Sequence, residues 1–239
     1  MGLEGVSAVW TQRMIMLIVG AVVALALAVV ARLVAWLGWP RGLSVGAAAS
    51  TGLAAGYVRV VKPWHLRWGA SDDEVARPMP GDDLIPDAGS ATRAITIRAD
   101  MEQVWPWLLQ IGYGRAGWYS YDWIDNDFQR SATRIVPEHQ HLGVGDTILM
   151  MPRMGFVVQS VHAPMSIVSI LEDGSTSWCL ALYPIEGGGT RLVSRWRPRF
   201  ELTPATVAMT LLAEPGTFIM EQKMLRTIRD RVESPGQDS

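Results

Sequence analysis

The chain has a single cysteine, Cys179, in 239 residues. No internal disulfide can therefore staple it, and a lone Cys inside a strand-like run reads as a buried, inert thiol. A basic surplus is missing as well. The chain has 21 Lys and Arg against 23 Asp and Glu, a formal net charge of −2, which excludes the broad positive field that nucleic-acid binding needs. No serine sits in a G-x-S-x-G elbow, so a hydrolytic triad lacks support; Ser120, with Asp122 close by, reads as a helix N-cap. The aspartates between Asp72 and Asp87 lack EF-hand spacing. His139 and His141, with Glu138, are metal-ligand types without a third ligand at useful spacing. Flanked by Pro137 and Gly143, they read as a surface loop, and no metal or cofactor is expected. The opening MGLEGVS fails the myristoylation pattern, because Val6 stands where Ser or Thr is required.

Charge itself is scarce, at 18% of residues, and the deficit lies at the N-terminus. Met14 to Ala31 carries no charged residue, and apolar character continues past Arg32 to Trp39. Roughly 20 apolar residues cross ~30 Å of hydrocarbon, so a span over about 14–37 is expected; a signal peptide has a shorter apolar core and a nearby cleavage site. A second, Gly/Ala-rich segment over about 43–61 suggests a helical hairpin turned at Gly38–Gly42, with Pro40 and Gly42 as breakers. The alternative is a weakly apolar linker. Gly52 and Gly56, extended by Ala48, match Gly20, Ala24 and Ala28 in small-xxx-small spacing, which suits helix–helix self-association in a bilayer. Arg13, Arg59, Lys62 and Arg67 flank the apolar region and only Arg41 lies in the turn, which places the remaining domain on the cytoplasmic side of a cell membrane. The expected organisation is a membrane anchor at 1–62, a juxtamembrane anchor and acidic, Pro-rich strap at 63–90, a folded domain at 91–233 and a disordered tail at 234–239. Pro63–Trp68 reads as an interfacial anchor, and Gly69–Ser90 as an extended strap leading away from the bilayer.

Ala94–Arg98 alternates as a half-buried strand. Asp100 followed by Gln103 marks a helix start, and Pro106 keeps that helix short or kinked. Gly112–Phe128, GYGRAGWYSYDWIDNDF, mixes aromatic rings with glycines and aspartates, a composition suited to a pocket wall or lip. A short helix is expected from Ser120, with Tyr121, Ile124 and Phe128 on one face. Strands follow at Thr147–Met151, Phe156–Val161, Ile167–Leu171, Trp178–Tyr183 and Arg191–Phe200. Trp178, Leu180 and Leu182 share one strand face. Arg191, Arg195, Arg197 and Arg199 share another, which reads as a solvated outer surface before it reads as an anion site. The apolar stretch Val207–Ala213 is interrupted by Glu214-Pro215. Thr217–Glu233 then forms a helix whose stripe includes Phe218, Met220 or Glu221, Leu225, Ile228 and Val232. The layout is α+β.

With VWPWLLQIGYGRAGWYSYDWIDN, PWHLRWGASDDEV, RPMPGDDLIP and KMLRTIRDR, the region from Pro63 to Glu233 resembles membrane-anchored bacterial members of the SRPBCC superfamily. These are START-like and polyketide cyclase/dehydrase-like helix-grip proteins. The resemblance implies a curved antiparallel sheet of about seven strands around the long C-terminal helix, two short helices after the first strand, and an internal hydrophobic cavity. It implies no particular reaction. The expected function is membrane-tethered binding of a hydrophobic small molecule or lipid, with no nucleic acid involved. A cyclase/dehydrase-type enzyme using Tyr119, Tyr121 or Asp122 is one alternative, and a scaffold for another membrane protein is a third. Arg115, Trp118, Tyr119, Tyr121, Asp122 and Trp178 are the ligand-binding candidates, and no residue is assigned as catalytic.

Overall fold

The computed structural model describes residues 28–29, 31–32, 34–199 and 203–234, with the backbone alone at 204–212. Most of the expected first span, 14–37, lies outside the described residues, as does the expected tail after Ser234. The chain forms two units, divided between His65 and Leu66.

In the first unit, α1 (Trp39–Gly56) continues through a π-helical turn (Tyr57–Val61) into α2 (Lys62–Leu66). Gly38, at φ 79°, makes the break before α1. The expected turn over Gly38–Gly42 is therefore shorter than anticipated. Pro40 sits in the first helical turn, where its missing N–H would have had no partner anyway. Among the described residues no helix is long and apolar enough to cross a membrane. The hydroxyl of Tyr57 lies 3.1 Å from Nε2 of His65, a buried ring.

The second unit is an antiparallel sheet under a long helix. Its strands are β1 (Ala91–Ile97), β2 (Thr147–Met151), β3 (Met154–His162), β4 (Ser166–Leu171), β5 (Thr176–Pro184) and β6 (Thr190–Pro198), in the spatial order β1-β6-β5-β4-β3-β2. The residue pattern marks these six strands, whereas the resemblance implies about seven. The difference lies in Gln129–Asp146, where Pro137, Gly143 and Gly145 break any alternation and the only regular turn is 3₁₀, at Pro137–His139. Between β1 and β2 come α4 (Met101–Leu109) and the single turn α5 (Asp122–Asp125); α3 (Asp72–Ala76) precedes β1. The N–H of Asp100 donates to Oε1 of Gln103 at 3.1 Å, the reciprocal bond of a capping box.

Two expectations about helices need correction. The helix from Ser120 does not reach Phe128. Tyr121 occupies the N-cap, α5 ends at Asp125, and Asp127 and Phe128 turn left-handed at φ 50° and 63°, which leaves Phe128 79% exposed. The C-terminal helix α6 runs from Pro204 to Glu233 straight through Pro215, so Glu214-Pro215 does not interrupt it. A proline removes one i→i−4 bond, and the ladder on either side carries the helix across.

The concave face of the sheet packs against α6 and α4 through one apolar core that includes Ile95, Ile97, Leu108, Leu180, Leu192, Leu225 and Ile228. The convex face is covered too. Residues 66–90, which include the strap expected at Gly69–Ser90, lie across β1, β6, β5 and β4. Met79 buries against Ala94, Val168, Cys179, Ala181 and Val193. Its approach is so close that a Cβ on Gly69 (φ 73°) would stand 2.1 Å from the Ala94 carbonyl oxygen, and one on Gly81 (φ 83°) 2.4 Å from a Val168 methyl.

Except at Arg199, which is exposed, the arginine row is consequently not a solvated surface. The Arg191 Nε donates to Oε1 of Glu74 at 2.7 Å. Arg195, only 3% exposed, donates to the carbonyls of Glu74, Val75 and Arg77, to Asp82 Oδ2 and to Thr92 Oγ1, at 2.6 to 3.1 Å. Nη2 of Arg197 reaches the carbonyls of Ile85 and Pro86 at 3.0 and 2.8 Å. Burial pushes the Glu74 carboxyl up, but the Arg191 guanidinium and the Ser71 N–H more than offset that and hold it below its ordinary value.

Candidate ligand-binding site

The bend after α4 fixes the aromatic stretch. Gly112 and Gly117 exchange backbone bonds at 3.1 Å, closing a tight loop. Arg115 clamps that loop by donating through Nη2 to the carbonyls of Leu109 (2.8 Å) and His139 (2.9 Å). Beyond the loop, Trp118 and Tyr119 turn inward. Trp118, 8% exposed, lies 5.7 Å from Trp178. Trp178 in turn stacks on its cross-strand neighbour Trp196 at 5.2 Å, touches Phe156 at 5.7 Å and donates its indole N–H to Ser194 Oγ at 2.9 Å. These rings fill the middle of the concave face.

Tyr119 is 1% exposed. Its hydroxyl accepts from Gln110 Nε2 at 2.8 Å and donates to the Trp107 carbonyl at 3.3 Å. Burial pushes the phenol far above its ordinary pKa, with Gln110 and the Arg231 charge pulling only part of the way back.

Tyr121 and Asp122 stand apart from this interior, half-buried beside α6. The Tyr121 ring carries the Lys223 ammonium 4.2 Å from its centroid, and Asp122 Oδ1 accepts from Ser131 Oγ at 2.5 Å. Of the six residues nominated from sequence, Trp118 and Trp178 are in ring contact. Tyr119 borders them through the core, Arg115 holds the loop, and Tyr121 with Asp122 form a second group. His139 accepts through its carbonyl, and among the described residues no group of three His, Cys, Asp or Glu could hold a metal ion.

Nothing in the residue pattern singles out Asp125. Both of its carboxyl oxygens and the Ser120 hydroxyl are buried without a hydrogen bond of ordinary geometry among the described residues. Burial first, and the Asp122 charge second, push the Asp125 pKa up to about 7, with Ser120 and Lys223 drawing it partly back. Because the folded value lies above the unfolded one, the folded protein holds a proton here that the unfolded chain has lost between about pH 4 and pH 7. Stability from this proton is complete below about pH 4 and is gone once pH rises through 7. Asp125→Asn is expected to raise stability at pH 8 by on the order of 2 kcal/mol, allowing for solvent screening, and to change little at pH 4. Urea unfolding at the two pH values reads this; an equal effect at both would show that the carboxyl is not proton-linked.

A groove of about 1440 Å³ opens where the last turns of α6 meet the end of β1, α4 and the segment 133–135. Its apolar wall is Trp107, Ile135 and Val232, and its charged residues are Arg98, Arg134, Arg229, Arg231, Asp230 and Glu233. It backs onto the aromatic interior. The Trp107 ring meets Tyr119 edge-on at 5.8 Å, and the Arg231 guanidinium lies 4.7 Å from the Tyr119 ring centroid. Glu233 pins the helix end to β1, accepting from the Arg98 N–H at 2.8 Å and from Arg98 Nη2 at 2.9 Å. Neither Trp107 nor Arg134 stands out in the sequence. Trp107 reads as one more apolar residue of α4, and only tertiary packing turns it toward α6.

An antiparallel sheet that grips a C-terminal helix, with two short helices after its first strand, is a helix-grip arrangement. Several solved structures are similar to the chain. One is the KanY protein (13% identity, 62% of this chain and 99% of that one, TM-score 0.40). Another is the Polyketide_cyc-like protein Cgl2372 from Corynebacterium glutamicum (15% identity, 61% and 91%, TM-score 0.35), and a third is the Aha1 dimer from Colwellia psychrerythraea (16% identity, 62% and 98%, TM-score 0.37). No family model and no curated protein matches the chain. At such identities nothing about ligand or reaction passes from those proteins to this one.

Proposed function

We propose that this chain binds a hydrophobic small molecule or lipid in a helix-grip domain held at the cytoplasmic face of a membrane by its N-terminal segment. The observation that carries the reading is the groove beside α6. At about 1440 Å³ it has room for a drug-sized ligand, and Ile135, with the edges of the buried Trp107 and Val232, is its apolar part beside a polar lining. The ligand seat is placed there because Trp118, Phe156, Trp178 and Trp196 occupy the concave face where the resemblance implies a cavity. Membrane attachment is supported by the uncharged stretch Met14–Ala31 and the cations that flank the apolar region. A filled interior would equally suit a scaffold, but a scaffold has no need of the groove.

A second reading, the cyclase-type enzyme, is favoured by one group. Asp125, with a pKa near 7, is poised for proton transfer at neutral pH. Native mass spectrometry of the full chain, released from membranes in mild detergent, tests the first reading. A co-purifying lipophilic mass is expected, and it is lost in Thr133→Trp, which fills the groove. Protein that carries no such mass and takes up no lipophilic probe would overturn it.

A further inference from the structure

The outer face of α6 carries exposed groups that neither the core nor the groove uses. Ile219 is 49% exposed, and Lys223 follows one turn later on the same face, with Arg226 beside it. Each cation lies over an aromatic ring instead of a carboxylate. The Lys223 ammonium stands 4.2 Å from the Tyr121 ring centroid, and the Arg226 guanidinium 5.2 Å from that of Trp68. Trp123 meets Tyr121 edge-on at 6.5 Å and is itself 46% exposed. Phe128 extends this aromatic edge, because its N–H donates to the Asp122 carbonyl at 2.8 Å and folds the loop back onto α5. A bulky ring in the left-handed region is costly. Here the turn is fixed by that bond and by the Tyr113 hydroxyl, which donates to Asp127 Oδ2, so Phe128 is held out in solvent by structure. Two residues on, Arg130 is exposed as well.

The charges on this face do not cancel one another. Lys223, Arg226 and Arg130 make no ion pair among the described residues. The neighbouring acids are engaged otherwise. Asp122 accepts from Ser131 and Asp127 from Tyr113, and both carboxyl oxygens of Asp125 are buried. Asp230, two turns beyond Lys223 on the same helix face, is paired with Arg229. Exposed Trp and Phe rings interleaved with such cations suit the interfacial layer of an anionic bilayer, where rings sit at headgroup depth and cations meet lipid phosphates. A protein–protein interface, by contrast, is depleted in lysine. We propose that this face, Ile219, Lys223 and Arg226 of α6 with Trp123, Phe128 and Arg130 beside it, seats the folded domain on an anionic lipid surface. The seat rests on the membrane attachment proposed above only in that the N-terminal segment brings lipid within reach. It goes beyond that attachment by fixing which side of the domain turns to the bilayer.

Spin labelling tests this on the full chain reconstituted in vesicles, because Cys179, the single cysteine, is buried and leaves an introduced thiol to react alone. A nitroxide is placed on Gln129→Cys, between Phe128 and Arg130, and in a second protein on Gln159→Cys, an exposed position of β3. In phosphatidylcholine vesicles containing phosphatidylserine, the Gln129 label is expected to favour collision with oxygen over a water-soluble nickel chelate at least threefold more than the Gln159 label does. Added salt should remove most of that difference. So should Arg130→Glu combined with Arg226→Glu, both at exposed positions, whereas Arg130→Lys with Arg226→Lys should keep it. A Gln129 label as wet as the Gln159 label in the phosphatidylserine vesicles overturns the seat. A Gln129 label equally shielded in phosphatidylcholine alone, and unmoved by salt or charge reversal, overturns the anionic surface as its partner. Alkaline carbonate reports separately on the tether. A chain that it strips from the vesicles overturns the N-terminal span, while the labels at neutral pH still read the seat.

Discussion

Glu221→Ala should destabilise the folded domain by about 3–5 kcal/mol, among the largest effects of any single substitution outside the aromatic interior. Glu221 sits on the buried stripe of α6 at 4% exposure and pairs with Arg93, a β1 residue at 2%. The Arg93 guanidinium also lies 5.4 Å from the Phe218 ring. Removing Glu221 takes its carboxylate from a guanidinium held in the core, and that penalty, rather than the worth of the pair, sets the size of the loss. The double replacement Arg93→Met with Glu221→Leu should therefore recover most of the stability. For a domain of this size about 1 kcal/mol moves Tm by roughly 2–4 °C, so the single variant should melt on the order of 10 °C lower. Thermal unfolding followed by tryptophan fluorescence reads both. A double variant as unstable as the single one would contradict the account.

Arg195→Met should release the strap. The guanidinium is the common donor to three strap carbonyls, to Asp82 and to Thr92. Its loss leaves those acceptors facing an apolar thioether under Met79 and the convex face, at a cost of about 3–5 kcal/mol. Arg195→Lys should recover less than half of it, because one ammonium cannot serve acceptors arranged around a planar fork. Arg199→Met is the control. Arg199 is exposed, and its backbone N–H, not its side chain, bonds Ser175, so the change should stay within about 0.5 kcal/mol. Hydrogen exchange localises the effect. Amides of 66–90 should lose protection in the Arg195 variant before those of β5 do; uniform loss across the domain would mean that the strap and sheet unfold as one.

What could be read from the sequence follows the range of the forces involved. Local alternation identified the strands, and the Asp100–Gln103 spacing the start of α4. Asp173-Gly174, a dipeptide suited to a hairpin turn, joins β4 to β5, and Gly174 takes φ 71° there. The helical stripe through Phe218, Leu225, Ile228 and Val232 is the buried face of α6. The stripe even passed through Glu221, but nothing local could reveal a partner 128 residues away. The seat of the strap on the sheet was hidden for the same reason. Its prolines and aspartates look like a solvated linker, and its stabilising contacts come from arginines 111 to 121 residues further on. The pocket candidates came from composition, which picks out aromatic clusters without saying which way they face. Trp118 and Trp178 meet in the interior, while the groove is lined by Trp107 and Arg134, residues that look ordinary in sequence.

The strap also decides how the domain responds to tension. Any force carried along the chain from before Leu66 must travel through residues 66–90 to reach β1. Along that path it meets the Trp68 carbonyl held by the Ala94 N–H of β1, then Glu74 held by Arg191, then Asp82 held by Arg195, then the Ile85 and Pro86 carbonyls held by Arg197. These anchors share the load across the face of the sheet, so β1, an edge strand paired with β6 alone among the described strands, does not bear it by itself at Ala94. The convex face thus works as a strain relief, and a domain pulled by its N-terminal end yields first in the strap, with the grip on α6 intact.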